Sequence, residues 1–145
     1  MTDILWVAGR YQLGNDPGLF QDAAYVGQEL ALPFRKTWVD TAAASVSIFI
    51  STTDVETWGT WDGHKVFINT TEIGRLKDPN DQDGPVERFE LSMTPAAFDA
   101  ALQGRDEFVL RIVLETQIAS PGMSDDFVVT RIGSPGSIAA KLGWK

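Results

Sequence analysis

The strongest constraint in this chain is a period of two. In residues 45–51, Val46, Ile48 and Ile50 alternate with Ser45, Ser47 and Ser51. Successive side chains of a strand point to opposite faces, so this pattern predicts a strand with one face buried and one wet. Residues 107–116 repeat it at greater length, with Phe108, Leu110, Ile112 and Leu114 on one side and Val109, Arg111, Val113 and Glu115 on the other. Phe49 breaks the polar side of the first segment, and that face is therefore expected to be partly covered.

Further strands are expected over residues 4–7, 29–39, 64–69, 72–76, 86–92 and 126–132. Residues 9–18 read as a strand running into a loop, because Asn15, Asp16, Pro17 and Gly18 are strong turn formers. Asn69, Thr70, Thr71 and Glu72 form the expected turn of a hairpin. Pro33 lies inside the 29–39 segment. A proline cannot donate to a sheet ladder, so that strand belongs at a sheet edge or breaks there.

One helix is expected at about 95–103. Thr94 suits the N-cap, Pro95 the first helical position and Gly104 the residue just past the end. Phe98, Ala101 and Leu102 then make a narrow apolar stripe that would lie on a sheet end. About eight short strands separated by turn signals, without a βαβ alternation, predict an all-β fold. The expected architecture is an antiparallel two-sheet sandwich, jelly-roll-like, formed by residues 1–145 as one domain.

Composition narrows the function classes. With 12 Lys and Arg against 20 Asp and Glu, the formal net charge is −8. Nucleic-acid affinity rests on cations that neutralise phosphates, so an acidic chain without a basic cluster is not expected to bind nucleic acid. There is no cysteine, which removes disulfides, thiolate metal sites and cysteine nucleophiles. No apolar run reaches the roughly 18 residues of a membrane span. The first 20 residues carry neither a basic n-region nor a sustained apolar stretch, so a cleaved secretory signal is not expected.

Residues 66–69 (V-F-I-N), 73–76 (I-G-R-L), 89–91 (F-E-L), 108–114 and 125–127 (D-D-F) carry a family pattern. This stretch, about residues 44–132, resembles the galactose-binding-like β-sandwiches of carbohydrate-binding modules and other adhesive bacterial domains. The resemblance implies a jelly-roll fold and a non-catalytic role. Two positions depart from the pattern: Thr70 stands where the family has a glycine after Asn69, and the connection 94–104 is longer and helical. Ligand residues in that family sit on variable loops, so none transfers to a matched position.

Three groups of residues invite a chemical reading. In residues 54–64 (D-V-E-T-W-G-T-W-D-G-H), Trp58 and Trp61 flank Gly59 within loop-like sequence. Indole rings stack on the C–H faces of sugars, and nearby carboxylates accept sugar hydroxyls. Trp58, Trp61, Asp62 and Glu56 therefore form the candidate ligand-binding set, a carbohydrate being the expected partner. The competing reading is that the tryptophans fold back and fill one end of the core.

Asp78, Asn80, Asp81 and Asp83 supply hard oxygen donors within one short loop, the raw material of a Ca2+ site. Their spacing is not that of an EF-hand, and a solvated turn is the simpler reading. Asp125 and Asp126 form a smaller acidic pair.

His64 is the only histidine. A catalytic triad would have to use it, yet no G-x-S-x-G occurs, and His64 is expected as a surface residue at a strand start. No catalytic residue is assigned, although paired carboxylates of a glycan hydrolase are set in space rather than in sequence. The functional expectation is a non-catalytic binding module for carbohydrate or a protein surface. The alternative is a structural or assembly subunit of a homo-oligomeric particle or surface appendage. Pro33 and the apolar tail residues Ile138, Leu142 and Trp144 would then serve as interface elements.

Overall fold

The computed structural model describes residues 2–14, 22–41, 43–53, 55, 63–77, 86–115 and 127–136. Nine strands and one helix lie among them: β1 (Thr2–Leu13), β2 (Ala24–Gly27), β3 (Glu29–Arg35), β4 (Val46–Thr53), β5 (His64–Ile68), β6 (Thr71–Leu76), β7 (Val86–Met93), α1 (Pro95–Leu102), β8 (Glu107–Val113) and β9 (Phe127–Gly136). They form two sheets, one ordered β2-β1-β9-β4-β7 and the other β3-β8-β5-β6. Every pairing is antiparallel except that of β1 with β2, which is parallel. This is the expected all-β two-sheet sandwich.

The two alternating segments supply the core. Val46, Ile48 and Ile50 of β4 face Phe108, Leu110 and Ile112 of β8 through one buried cluster, with Val66, Ile68, Leu76, Phe127 and Ile132 among its other members. In β1 the register with β9 slips between Leu5 and Val7. The extra residue of such a bulge lets two consecutive side chains face inward, and both Trp6 and Val7 pack on the core. At the far corner β6 and β7 approach so closely that a Cβ on Gly74 would lie 2.5 Å from Leu91 Cδ2.

β3 is an edge strand, as Pro33 requires. The ladder shows why the proline costs nothing there. Pro33 stands opposite Val109, whose backbone N–H and C=O are both used on the other side, by Asn69. The position is therefore a non-hydrogen-bonded pair, and the missing proline donor faces away from β8. The strand is shorter than its sequence suggests, because Lys36–Trp38 turns in a single 3-10 turn.

Helix α1 begins as expected, with the Thr94 hydroxyl accepting from Ala97 N–H at 3.1 Å and Pro95 in its first turn. Its stripe of Phe98, Ala101 and Leu102 is buried. It ends at Leu102, because Gln103 turns left-handed (φ 54°) and Gly104 follows at φ 79°. Phe49, though on the face away from the core cluster, is only 4% exposed, and the Arg88 guanidinium lies 4.3 Å from its ring centroid. That covering was legible in the sequence. Further along the same sheet, Gln12 and Val128, which pair with each other, are buried as well.

Candidate functional site

Register brings the strand ends that flank residues 54–63, 77–85 and 114–126 to one end of the sandwich. Thr53, the last residue of β4, pairs with Val86, the first of β7. His64, the first residue of β5, pairs with Leu76, the last of β6. Leu13 at the end of β1 pairs with Phe127 at the start of β9, and Lys65 pairs with Val113 at the end of β8. The chain therefore leaves and re-enters the sheets at this same end on either side of residues 54–63, 77–85 and 114–126. Helix α1 and the Asn69 turn sit at the other end.

Trp58, Trp61, Asp62 and Glu56 lie outside the described residues, as do Asp78, Asn80, Asp81 and Asp83, the acidic pair Asp125 and Asp126, and the tail 137–145. Their anchors are described. Val55 is fully buried in the core cluster. Gly63 is held at φ 96°, and a Cβ there would come within 2.8 Å of the Leu76 carbonyl oxygen. Only glycine lets the chain cross so close to β6 in that conformation, so the residue before β5 has to be a glycine.

Beneath this end lies a polar group that sequence reasoning placed wrongly. His64 is buried, not at the surface. Its ring stacks on Phe127 with centroids 4.5 Å apart and planes 20° from parallel. Its Nδ1 accepts the backbone N–H of Glu115 at 3.0 Å, which binds the start of β5 to the chain just beyond β8. The physical reason is alternation: His64, Val66 and Ile68 fall on the same, inward side of β5. Continuing that pattern back by one position was the available signal.

Glu115 continues the network outward. Its carboxylate lies 3.7 Å from Arg75 Nη1, and Arg75 Nη2 also meets Glu72 at 3.5 Å. Partly exposed pairs of this kind contribute little to stability. On the adjoining sheet the Tyr25 hydroxyl donates to the Gly14 carbonyl at 2.8 Å, tying β2 to the end of β1.

Chemically, the described strand ends here carry the cations Lys65 and Arg75 and the carboxylate of Glu115. Among the described residues no group of three His, Asp or Glu side chains gathers as a metal ion would need. Comparison with protein-family models, with curated proteins and with solved structures returns no match.

Proposed function

We propose that this chain is a non-catalytic binding module of the galactose-binding-like kind, which holds a carbohydrate at the loop end of its sandwich through Trp58 and Trp61, with Asp62 and Glu56 accepting sugar hydroxyls. The observation that carries the reading is the shared placement of strand ends. The segment bearing the tryptophans and the one bearing Asp78, Asn80, Asp81 and Asp83 are rooted on directly paired strands at the same end of the sandwich. Val55 and Gly63 set where the chain leaves and re-enters the sheets on either side of that segment. In this reading Ca2+ has a structural role in the 78–83 segment and takes no part in chemistry.

A glycan array probed with the purified protein, followed by titration of any hit, tests the proposal. Trp58→Ala and Trp61→Ala should each weaken binding at least tenfold while the melting temperature stays within a few degrees. A folded double variant that binds as well as the parent defeats the assignment of the site. Addition of Ca2+ should raise the melting temperature and excess chelator should reverse it, since a ligand that binds only the native state stabilises it by mass action. No shift with Ca2+ would remove the metal from the scheme and leave the glycan reading standing.

A further inference from the structure

Residues 69–71 read N-T-T, and no other asparagine of the chain is followed two positions on by serine or threonine. N-x-T is the acceptor signature of N-linked glycosylation, which joins a glycan to the side-chain nitrogen of the asparagine. The motif ordinarily marks a surface loop. Here it spans the β5–β6 turn, and its residues are placed unequally: Thr70 and Thr71 are exposed, while Asn69 is half-buried.

Both ends of the Asn69 carboxamide are in use. Oδ1 accepts the Val109 N–H at 2.9 Å, and Nδ2 donates to the Ala101 carbonyl at 3.1 Å. The backbone of the same residue is held at φ 54°, with its N–H on the Val109 carbonyl and its carbonyl on Arg111 Nη1. The helical turn that Nδ2 meets is itself packed. Ala101 and Leu102 are buried, and Phe98 stands edge-on to Phe108 of β8 with centroids 5.5 Å apart. The carboxamide therefore lies between α1 and β8, at the end of the sandwich opposite residues 54–63.

An amide nitrogen is a poor nucleophile, because its lone pair is delocalised into the carbonyl. An enzyme that glycosylates it has to hold the whole carboxamide. In the transfer a bond forms from Nδ2 to C1 of a lipid-pyrophosphate-linked oligosaccharide. The C1–O bond to the pyrophosphate breaks, the lipid pyrophosphate leaves, and Nδ2 gives up one proton. A side chain whose oxygen and nitrogen both belong to the fold does not offer itself to that chemistry. Releasing it means undocking the β5–β6 turn from α1 and β8, a local unfolding.

We propose that Asn69 is an N-glycosylation acceptor that folding closes: the glycan is transferred only to chains whose β5–β6 turn is not docked on α1 and β8. Folding and transfer then compete for one carboxamide, and a chain that folds first is protected. Where opening and closing are fast relative to transfer, the rate on the folded protein follows the population of the open form. The proposal does not need the carbohydrate-binding reading, because it rests on other residues at the other end of the sandwich.

The test is transfer in vitro by a single-subunit oligosaccharyltransferase that recognises N-x-T, with a lipid-linked oligosaccharide donor and intact mass as the readout. The full chain is purified unmodified from a bacterial cytosol, and circular dichroism establishes whether each form is folded. The comparison is with Ile48→Asp, which keeps the sequon but sets an unpaired carboxylate at a fully buried core position and should unfold the chain. Should it still fold, Ile48→Asp combined with Leu110→Asp takes its place. The folded parent should be modified at less than about a hundredth of the rate of the unfolded chain. Adding Thr71→Ala, a change at an exposed position, should abolish the mass shift of the unfolded chain and so tie it to Asn69. Phe98→Ala loosens α1 and should raise the rate at least about tenfold over the parent; Phe98→Leu replaces it if the alanine variant unfolds. A folded parent modified as fast as the unfolded chain overturns the proposal. So does an unfolded chain that takes no glycan, or a folded Phe98 variant no faster than the parent.

Discussion

Asn69 is the most revealing single position in the fold. It sits at the β5–β6 turn with φ 54°, and two other elements, α1 and β8, meet there. Its Oδ1 accepts the Val109 N–H at 2.9 Å and its Nδ2 donates to the Ala101 carbonyl at 3.1 Å. Its own N–H donates to the Val109 carbonyl at 2.8 Å, and its carbonyl accepts from Arg111 Nη1 at 3.1 Å. The hairpin turn, the last turn of α1 and the middle of β8 are thus held through one side chain.

Asn69→Ala leaves a part-buried N–H and a part-buried carbonyl without partners, each costing about 1–3 kcal/mol. A left-handed backbone costs an alanine roughly 1–2 kcal/mol, a strain that asparagine tolerates better. The sum at the low end is about 3 kcal/mol, which in a domain near 150 residues lowers the melting temperature by about 6–12 °C. Asn69→Gly separates the two terms: it removes the backbone strain and keeps the lost bonds, so it should cost about 2 kcal/mol. Asn69→Asp keeps the acceptor for Val109 but points an oxygen at the Ala101 carbonyl, and it should fall between parent and alanine. Urea titrations followed by tryptophan fluorescence give all three values. A loss below 1 kcal/mol for Asn69→Ala, or a glycine variant as stable as the parent, would refute the reasoning.

Two further substitutions probe the loop end. Gly63→Ala forces a Cβ to within 2.8 Å of a backbone oxygen in β6 at a φ that alanine resists; a loss of at least about 3 kcal/mol by denaturant titration is expected. A near-neutral result would show that the residue before β5 need not be a glycine. His64→Ala removes a buried ring stacked on Phe127 and orphans the Glu115 N–H, for about 3 kcal/mol or more in the same assay. A surface histidine would cost within about 0.5 kcal/mol, so the measurement decides directly between the buried and exposed placements.

What was legible in the sequence was whatever local rules determine. Period-two alternation identified β4 and β8 and the side of each that faces the core. Thr94, Pro95 and the Phe98, Ala101, Leu102 stripe located α1, because caps and helical periodicity are properties of neighbouring residues. Pro33 announced an edge strand, since a missing donor is intolerable between two neighbours.

Strand lengths were less legible. β1 runs unbroken over Thr2–Leu13 rather than as one strand at 4–7 and another from residue 9, because its register slips absorb an alternation that looks broken when read linearly. The short β2, paired parallel to β1, carries only Ala24–Gly27 and no pattern that four residues could establish.

Only the tertiary structure decided which residues meet. Sequence spacing gave no reason for His64 to lie under Glu115, 51 positions away, or for Asn69 to lie beside Val109, 40 positions away. Nor could it show that residues 54–63 and 77–85 are rooted at one end, since that follows from strand order and direction. Alternation and capping are short-range, set by the geometry of adjacent peptide units. Register and sheet order are long-range, set by which pairing buries the most apolar surface with every backbone donor satisfied.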